Sequence, residues 1–291
     1  MQNYKDSPLF IKIKQTYSTM SKGHKKIADY ILNNYDKAGF MTASKLGETA
    51  GVSESTAVRF AYELGFEGYP EFQSELSETA KRKLTFLQRM NLAEEKSNGK
   101  GILERVSTID IESIRSTVEM TTESQLRTIA EEISNAKRVY IIGSRSSEPL
   151  ALLLSYYLEL MLQDVKHIRP SGTTDILQQV LRISENDVII GISFPRYSTQ
   201  TLKALQYANG RNAKVIAITD SETSPIAKIS DYKMLAKSNM SSFVDSMVGA
   251  MSLINALLVT ISMLKKDDVA QTFNTLETIW EEYQVYDKSE N

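Results

Sequence analysis

Two serine-rich loops hold the residues of this chain best suited to chemistry. Gly143-Ser-Arg-Ser-Ser147 follows a short β-branched run and opens a helical segment, and Ser193-Phe-Pro-Arg-Tyr-Ser-Thr-Gln200 follows a second such run. The hydroxyls of Ser144, Ser146, Ser147, Ser193 and Ser198 and the phenol of Tyr197 meet free backbone N–H groups at a helix start, where partial positive charge favours a phosphate or carboxylate. Arg145 and Arg196 add planar, permanently charged forks able to grip an anion through two bonds. Serine is also a common helix cap, which is the plainer reading of either loop taken singly. An arginine in both loops, at successive strand ends, points instead to an anionic ligand.

Groups for acid–base or nucleophilic chemistry are scarce. The chain has no cysteine, so disulfides, thiolate catalysis and cysteine-based metal sites are excluded. Its two histidines are His24, in a basic helical stretch, and His167, near a strand end beside Lys166 and Arg169. His167 has two readings, a base or ligand contact on one side and a solvated loop residue on the other. Glu148, Asp175 and Asp220 suit the first turns of helices, where a carboxylate complements the dipole. No histidine or carboxylate pair has metal-ligand spacing, and no P-loop or Gly-x-Gly-x-x-Gly motif occurs. Neither a metal nor a cofactor is expected.

A different chemistry is written into residues 46–65. Leu46 and Ala50 give one helix an apolar face, Gly47 lets a second helix approach closely, and Gly51 suits a left-handed turn. Ser53 can cap the next helix, in which Ala57, Phe60, Ala61 and Leu64 fall on one face. Ser55, Arg59 and Tyr62 then point away from that stripe, and Thr56 lies beside them in the same first turns. A helix that buries one side and presents Ser, Arg and Tyr on the other suits a DNA major groove, with an ordinary helical hairpin as the alternative. Lys22, Lys25 and Lys45 are the candidate phosphate contacts.

These sites need two kinds of scaffold. Residues up to about 90 read as wholly helical, with a turn at 66–70 and one long helix from 71 to 90. Residues 94–101 are polar and glycine-bearing, as in a linker, and a polar-patterned helix is expected over roughly 109–134. Beyond it, runs at 139–142, 187–193 and 214–219, with additional strands at 165–168 and 232–235, alternate with helical segments at 148–162, 199–207 and 224–229. Strands without polar alternation, separated by helices, imply a parallel sheet covered on both faces, with ligands bound beyond the carboxyl ends of the strands. The apolar stretch 247–264 and the amphipathic stretch 269–283 either close this domain or form a subunit interface.

With 291 residues and 42% apolar content the chain can bury two cores. Residues 1–90 carry 13 Lys or Arg against 10 Asp or Glu, and the remainder is acidic, in agreement with nucleic-acid contact at one end. The first residues lack the charged and apolar regions of a signal peptide, and no apolar run approaches the roughly 18 residues of a membrane span. A cytoplasmic protein is expected.

The string Ser55-Thr-Ala-Val-Arg-Phe-Ala-Tyr-Glu-Leu-Gly-Phe-Glu-Gly-Tyr-Pro-Glu-Phe72 resembles the DNA-binding domain of RpiR/MurR-type bacterial transcription regulators. In that family an N-terminal helix-turn-helix domain is joined to a C-terminal sugar isomerase (SIS) domain that senses phosphorylated sugars. Ile142-Gly-Ser-Arg-Ser-Ser147 resembles the first SIS ligand loop, and Ile192-Ser193 the start of the second. The family pattern in the second loop is Ser-x-Ser-Gly-x-Thr. Here Ser193 and Ser198 match, but Pro195 and Arg196 replace the central Ser and Gly, and Arg145 stands where a small residue is usual. The resemblance implies an all-α helix-turn-helix domain over 1–90, a linker over 91–106, and a three-layer α/β SIS domain with a parallel five-stranded sheet over 107–291. It also implies a DNA operator and an anionic sugar derivative as partners, with the chain acting as a homodimer or homotetramer. The competing function is a sugar-phosphate isomerase with an accessory helical domain, for which Glu148 and His167 are the available bases.

Overall fold

The computed structural model describes residues 8–81, 84–95, 101–169 and 172–285. The chain divides between Lys100 and Gly101 into two compact units, with Met240–Val244 grouping with the first. Among the described residues no single helix is long and apolar enough to cross a membrane.

The first unit is helical, with α1 Pro8–Thr16, α2 Lys22–Asn33, α3 Tyr35–Ala38, α4 Ala43–Ala50, α5 Glu54–Glu63, α6 Tyr69–Lys81 and α7 Phe86–Glu95. Its core gathers Phe10, Ile13, Ile27, Ile31, Leu46, Phe60, Leu64 and Phe72, all inaccessible to solvent. Pro70 sits in the first turn of α6, where its missing N–H costs nothing. The long helix expected over 71–90 is instead two helices. Thr85 stops the first and starts the second: its N–H donates to Gln88 Oε1 (2.9 Å), and the Gln88 N–H returns a bond to Thr85 Oγ1 (3.2 Å). This reciprocal capping box is anchored by Leu84, which is buried just before it. Helix α7 runs into the stretch read as linker, of which residues 96–100 lie outside those described.

The second unit begins with α8 Ile102–Met120 and α9 Glu123–Asn135. These replace the single helix expected over 109–134, and again a threonine makes the break. Thr122 accepts from Gln125 N while Gln125 Oε1 accepts from Thr122 N. Then follow β1 Arg138–Gly143, α10 Glu148–Glu159, β2 Val165–Ile168, α11 Thr173–Gln179, β3 Asp187–Ile192, α12 Thr199–Asn209, β4 Lys214–Thr219, β5 Tyr232–Leu235, α13 Val248–Leu264 and α14 Lys266–Glu282. Of the 224–229 segment only Ala227–Ile229 is helical, as one 3-10 turn. Helix α11 has no counterpart among the expected elements.

All five strands pair in parallel, in the order β2-β1-β3-β4-β5. Successive strand residues point to opposite faces, and both faces are covered. Val139, Ile141, Ile190, Ile216 and Ile218 pack with α9, α10 and α13; Tyr140, Ile142, Ile189, Val215 and Ala217 pack with α11 and α12. This is the three-layer α/β architecture implied by the uninterrupted apolar runs.

Candidate DNA-reading helix and anion site

In the helical unit the close crossing of α4 and α5 rests on Gly47. A Cβ there would stand 3.0 Å from the Ser53 carbonyl and 3.1 Å from Glu54 N, all backbone. Gly51 turns the chain at φ +68°, and Ser53 Oγ accepts from Thr56 N at 3.3 Å to cap α5. Ala57, Phe60, Ala61 and Leu64 are buried, whereas Ser55, Arg59 and Tyr62 are exposed and Thr56 half-exposed. The structure therefore brings the four predicted reading residues to the outer side of one helix.

Helix α2 is packed against the start of α5: a Cβ on Gly23 would lie 3.2 Å from Thr56 Cγ2. That contact sets Lys22 beside the N-terminus of α5. Lys25 lies on the same helix, its Nζ donating to the Ser18 carbonyl at 3.3 Å and lying over the Tyr17 ring. Lys45 pairs instead with Glu48 of its own helix at 2.9 Å. Lys26, absent from the sequence-based candidates, donates to the Gly51 carbonyl at the turn (3.4 Å) and is exposed. Its spacing from Lys22 on one helix was the available signal. His24 contacts Glu63 of α5 and lies edge-on to Phe60, which ties α2 to the reading helix.

In the α/β unit the strand order reverses between β1 and β3, and ligands in open sheets bind at such a switch point. Gly143 pairs in register with Ile192, so the two serine loops leave the sheet side by side. Ser144 Oγ and Thr201 Oγ1, one from each side of the crevice, are 3.3 Å apart. Ser193 Oγ accepts from Ser198 N (3.0 Å), and Ser198 Oγ accepts from Thr201 N to cap α12 (3.3 Å). Both hydroxyls thus act as acceptors toward the backbone and keep an O–H to donate. Ser144, Ser147 and Ser193 are buried; Arg145, Ser146 and Arg196 are exposed; Tyr197 and Ser198 are half-buried.

Arg145 and Arg196 both adopt the left-handed region, at φ +57° and +68°. For a side chain other than glycine that conformation costs on the order of 1 kcal/mol, and such residues cluster at ligand sites. Arg196 stands where the family pattern has glycine, the residue that takes such a φ without strain. Two bracing residues lie outside the sequence-based site. Tyr197 donates to Asp220 Oδ1 at 2.8 Å, and Thr219 Oγ1 donates to the Ser193 carbonyl at 2.7 Å, which pins the second loop to the end of β4. Asp220 had only the reading of a dipole partner, because a cross-loop bond to Tyr197 has no local sequence signature.

His167 faces Ile141 across the β1–β2 pair, with its Nε2 buried and lacking a hydrogen-bond partner among the described residues. Burial pulls its pKa below the usual 6.5, against the opposing pull of the Glu148 carboxylate. The unfolded histidine takes its proton near pH 6.5 and the folded one only at lower pH, so the favourable term is complete above 6.5 and fades as pH falls below it. The thermal midpoint of this unit should drop on going from pH 7.5 toward 5.5, and His167→Gln should flatten that drop. Equal slopes in the two proteins would refute the assignment. Among the described residues no group of His, Asp or Glu could hold a metal ion.

A small-residue helix crossing with an outward polar face, followed by a parallel sheet with serine loops at its switch point, defines a two-domain class: helix-turn-helix joined to SIS. The sequence model of the helix-turn-helix domain of the rpiR family matches residues 8–83, and that of the SIS domain matches 132–260. The chain belongs to the RpiR-type transcriptional regulators. It is 26% identical to a helix-turn-helix-type transcriptional regulator of Haemophilus influenzae, over 93% of this chain and 96% of that protein. A similarly named regulator of Caldanaerobacter subterraneus is 22% identical, over 92% and 95%. Relatives of this kind make the chain a regulator rather than an enzyme.

Among solved structures, the sugar isomerase domain of an RpiR transcription factor from Sphaerobacter thermophilus superposes with a TM-score of 0.58 at 26% identity, covering 60% of this chain and 97% of that one. The NanR protein of Vibrio vulnificus, solved in complex with ManNAc-6P, has the same fold along 93% of this chain and 98% of its own, with a TM-score of 0.57 at 22% identity.

Proposed function

We propose that this regulator binds operator DNA through α5 and tunes that binding by holding an anionic sugar derivative between the two serine loops. The observation that carries the ligand half is the pairing of Arg145 and Arg196, both in strained left-handed backbone, at the loops flanking the switch point. Ser144, Ser146, Ser147, Ser193, Tyr197 and Ser198 complete the proposed site. ManNAc-6P in the NanR structure makes a sugar phosphate the first ligand class to try. The DNA half assigns Ser55, Thr56, Arg59 and Tyr62 to the duplex and Lys22, Lys25 and Lys45 to its phosphates. Residues 1–90 would form the DNA-binding domain, 91–106 the connection and 107–291 the sensor. Two copies would meet a palindromic operator, in the cytoplasm where that DNA lies.

A ligand that binds the two affinity states unequally shifts DNA binding by the same coupling energy. The test is a thermal-shift panel of sugar phosphates, sugar acids and neutral sugars. Anionic members should stabilise the protein and neutral ones should not. Arg196→Gly should weaken anion binding about tenfold, the worth of one charge-assisted contact of roughly 1.4 kcal/mol, and glycine takes the φ +68° backbone without strain. Stabilisation by neutral sugars alone, or undiminished binding by the variant, would reject the anion site.

A further inference from the structure

Given the effector reading above, on which this rests, we propose that residues 237–246, between β5 and α13, form a strap through which the serine-loop end of the sheet acts on the helical unit. Met240–Val244 group with the helical unit, whereas Asn239 and Asp245 on either side belong to the α/β unit. The backbone therefore passes between the units at three points rather than one. The tip of the loop is apolar. Phe243 stands edge-on to Phe86 of α7, ring centroids 6.5 Å apart at 72°, a favourable aromatic geometry. Helix α7 is in turn fixed to its own unit. Gln88 Nε2 donates to Asp36 of α3 at 3.1 Å, and Arg89 is 1% exposed. The tip thus bears on a helix that is itself anchored.

The root of the strap is tied to α8 and to the sheet. Lys237 N–H donates to Thr117 Oγ1 (2.9 Å), Asn239 Nδ2 to Ser113 Oγ (3.0 Å) and Ser246 Oγ to Asp110 Oδ1 (2.6 Å). Asp110, Ser113 and Thr117 fall on one side of α8 by their spacing. Ser246 N–H closes the neck on the Asn239 carbonyl at 2.8 Å. A loop with its ends together and its tip projecting is an Ω-loop, a form frequent in functional segments. One residue before the strap, Ala236 N–H donates to the Thr219 carbonyl (2.8 Å), and Thr219 Oγ1 donates to the Ser193 carbonyl (2.7 Å). Ser193, Thr219 and Ala236 are all buried. A close-packed interior passes a displacement on rather than absorbing it. A shift of the second serine loop therefore reaches the strap root through two hydrogen bonds, and α7 through the tip.

The experiment is hydrogen exchange of the full chain, without DNA or sugar, read by mass spectrometry over the strap, α7 and α2. Thr219→Val removes the bond to the Ser193 carbonyl. It should speed exchange in the strap and in α7 by about tenfold, the size of an ordinary coupling between linked residues, and leave α2 unchanged. Phe243→Ala releases the tip from Phe86. In that background Thr219→Val should still speed exchange in the strap but no longer in α7, which isolates the coupling. Asn239→Ala, which frees the neck from Ser113, tests the same link without touching the serine loops, and should also speed exchange in α7. Faster exchange confined to the serine loops and the strap, or an α7 response that is the same with and without Phe243, would overturn the strap and leave the anion site standing. The expected exchange pattern in a protein that no anionic member of the thermal-shift panel stabilises would uphold the strap and reject the anion site.

Discussion

Replacing Arg59 by alanine is expected to cost about 10–100-fold in affinity for the specific operator, the equivalent of one bidentate contact to a base at roughly 1–3 kcal/mol. Arg59 is exposed on α5, one turn beyond Ser55 and opposite the buried stripe of Ala57, Phe60 and Leu64. Its removal therefore leaves the core untouched, and the thermal midpoint should not move. Fluorescence anisotropy on operator and on scrambled duplex, each across a salt series, separates the two ways it can act. If Arg59 meets a base edge in the major groove, the variant binds operator more weakly and the scrambled duplex nearly as before. If it meets a phosphate, both duplexes bind more weakly and the salt slope falls by about one. We expect the first pattern. Unchanged operator affinity would mean that another face of the helical unit meets DNA. Lys22→Ala, beside the N-terminus of α5, should show the second pattern.

Those two substitutions probe different amounts of inference. The position of Arg59 was legible because helical spacing alone fixes which residues share a side, and the buried set came out as Leu46, Ala57, Phe60, Ala61 and Leu64. The five strands were legible for a related reason. A strand covered on both faces has no polar alternation, so short β-branched runs such as Val188-Ile-Ile-Gly-Ile192 stand out from the amphipathic helices between them. What the sequence hid were breaks and cross-loop bonds. Both unforeseen helix breaks, at Thr85 and Thr122, are Thr-x-x-Gln capping boxes inside otherwise continuous helical patterns. The rule that finds them is the one that found Ser53, but a Thr in the middle of a periodic stretch is easily read as a surface residue. Helix α11 is short and only partly amphipathic, with Ile176 buried and Asp175 exposed in its first turn.

In the α/β unit, spacing located the serine loops but not their geometry. That Arg145 and Arg196 both take positive φ depends on how the loops leave adjacent strands, and neither residue type announces it. The same backbone makes the departure from the family pattern in the second loop costly. Exchanging glycine for arginine at a left-handed position is unfavourable by itself, so a compensating role for the guanidinium is the economical account. The braces from Tyr197 to Asp220 and from Thr219 to the Ser193 carbonyl hold that strained turn from outside it. Such bonds join residues more than 20 positions apart and are visible only once β3 and β4 are paired.

The first loop is braced differently, by close packing, and this makes Gly143→Ala a damaging single methyl in the α/β unit. A Cβ on Gly143 would fall 2.3 Å from the Ser147 carbonyl oxygen and 2.8 Å from its carbon, with Ala151 Cβ at 3.0 Å. The first two are backbone atoms of the turn that opens α10, so no side-chain rotation relieves the clash. Either the loop lifts off the end of β1 or α10 slides along the sheet. Gly191 makes the contrast: its nearest contacts are the methyls of Leu205, the end of a flexible side chain. Overpacking typically costs 1–3 kcal/mol, and a backbone clash belongs at the upper end of that range. Gly143→Ala should therefore lower the melting temperature of the α/β unit by several degrees. It should also abolish stabilisation by any anionic sugar, since Ser144, Arg145 and Ser147 move together. Unliganded operator binding should survive, because α5, the proposed reading helix, lies in the other unit. Gly191→Ala should cost less stability and keep the ligand response. If the two variants respond alike to ligand, the loop after β1 is not where the effector sits.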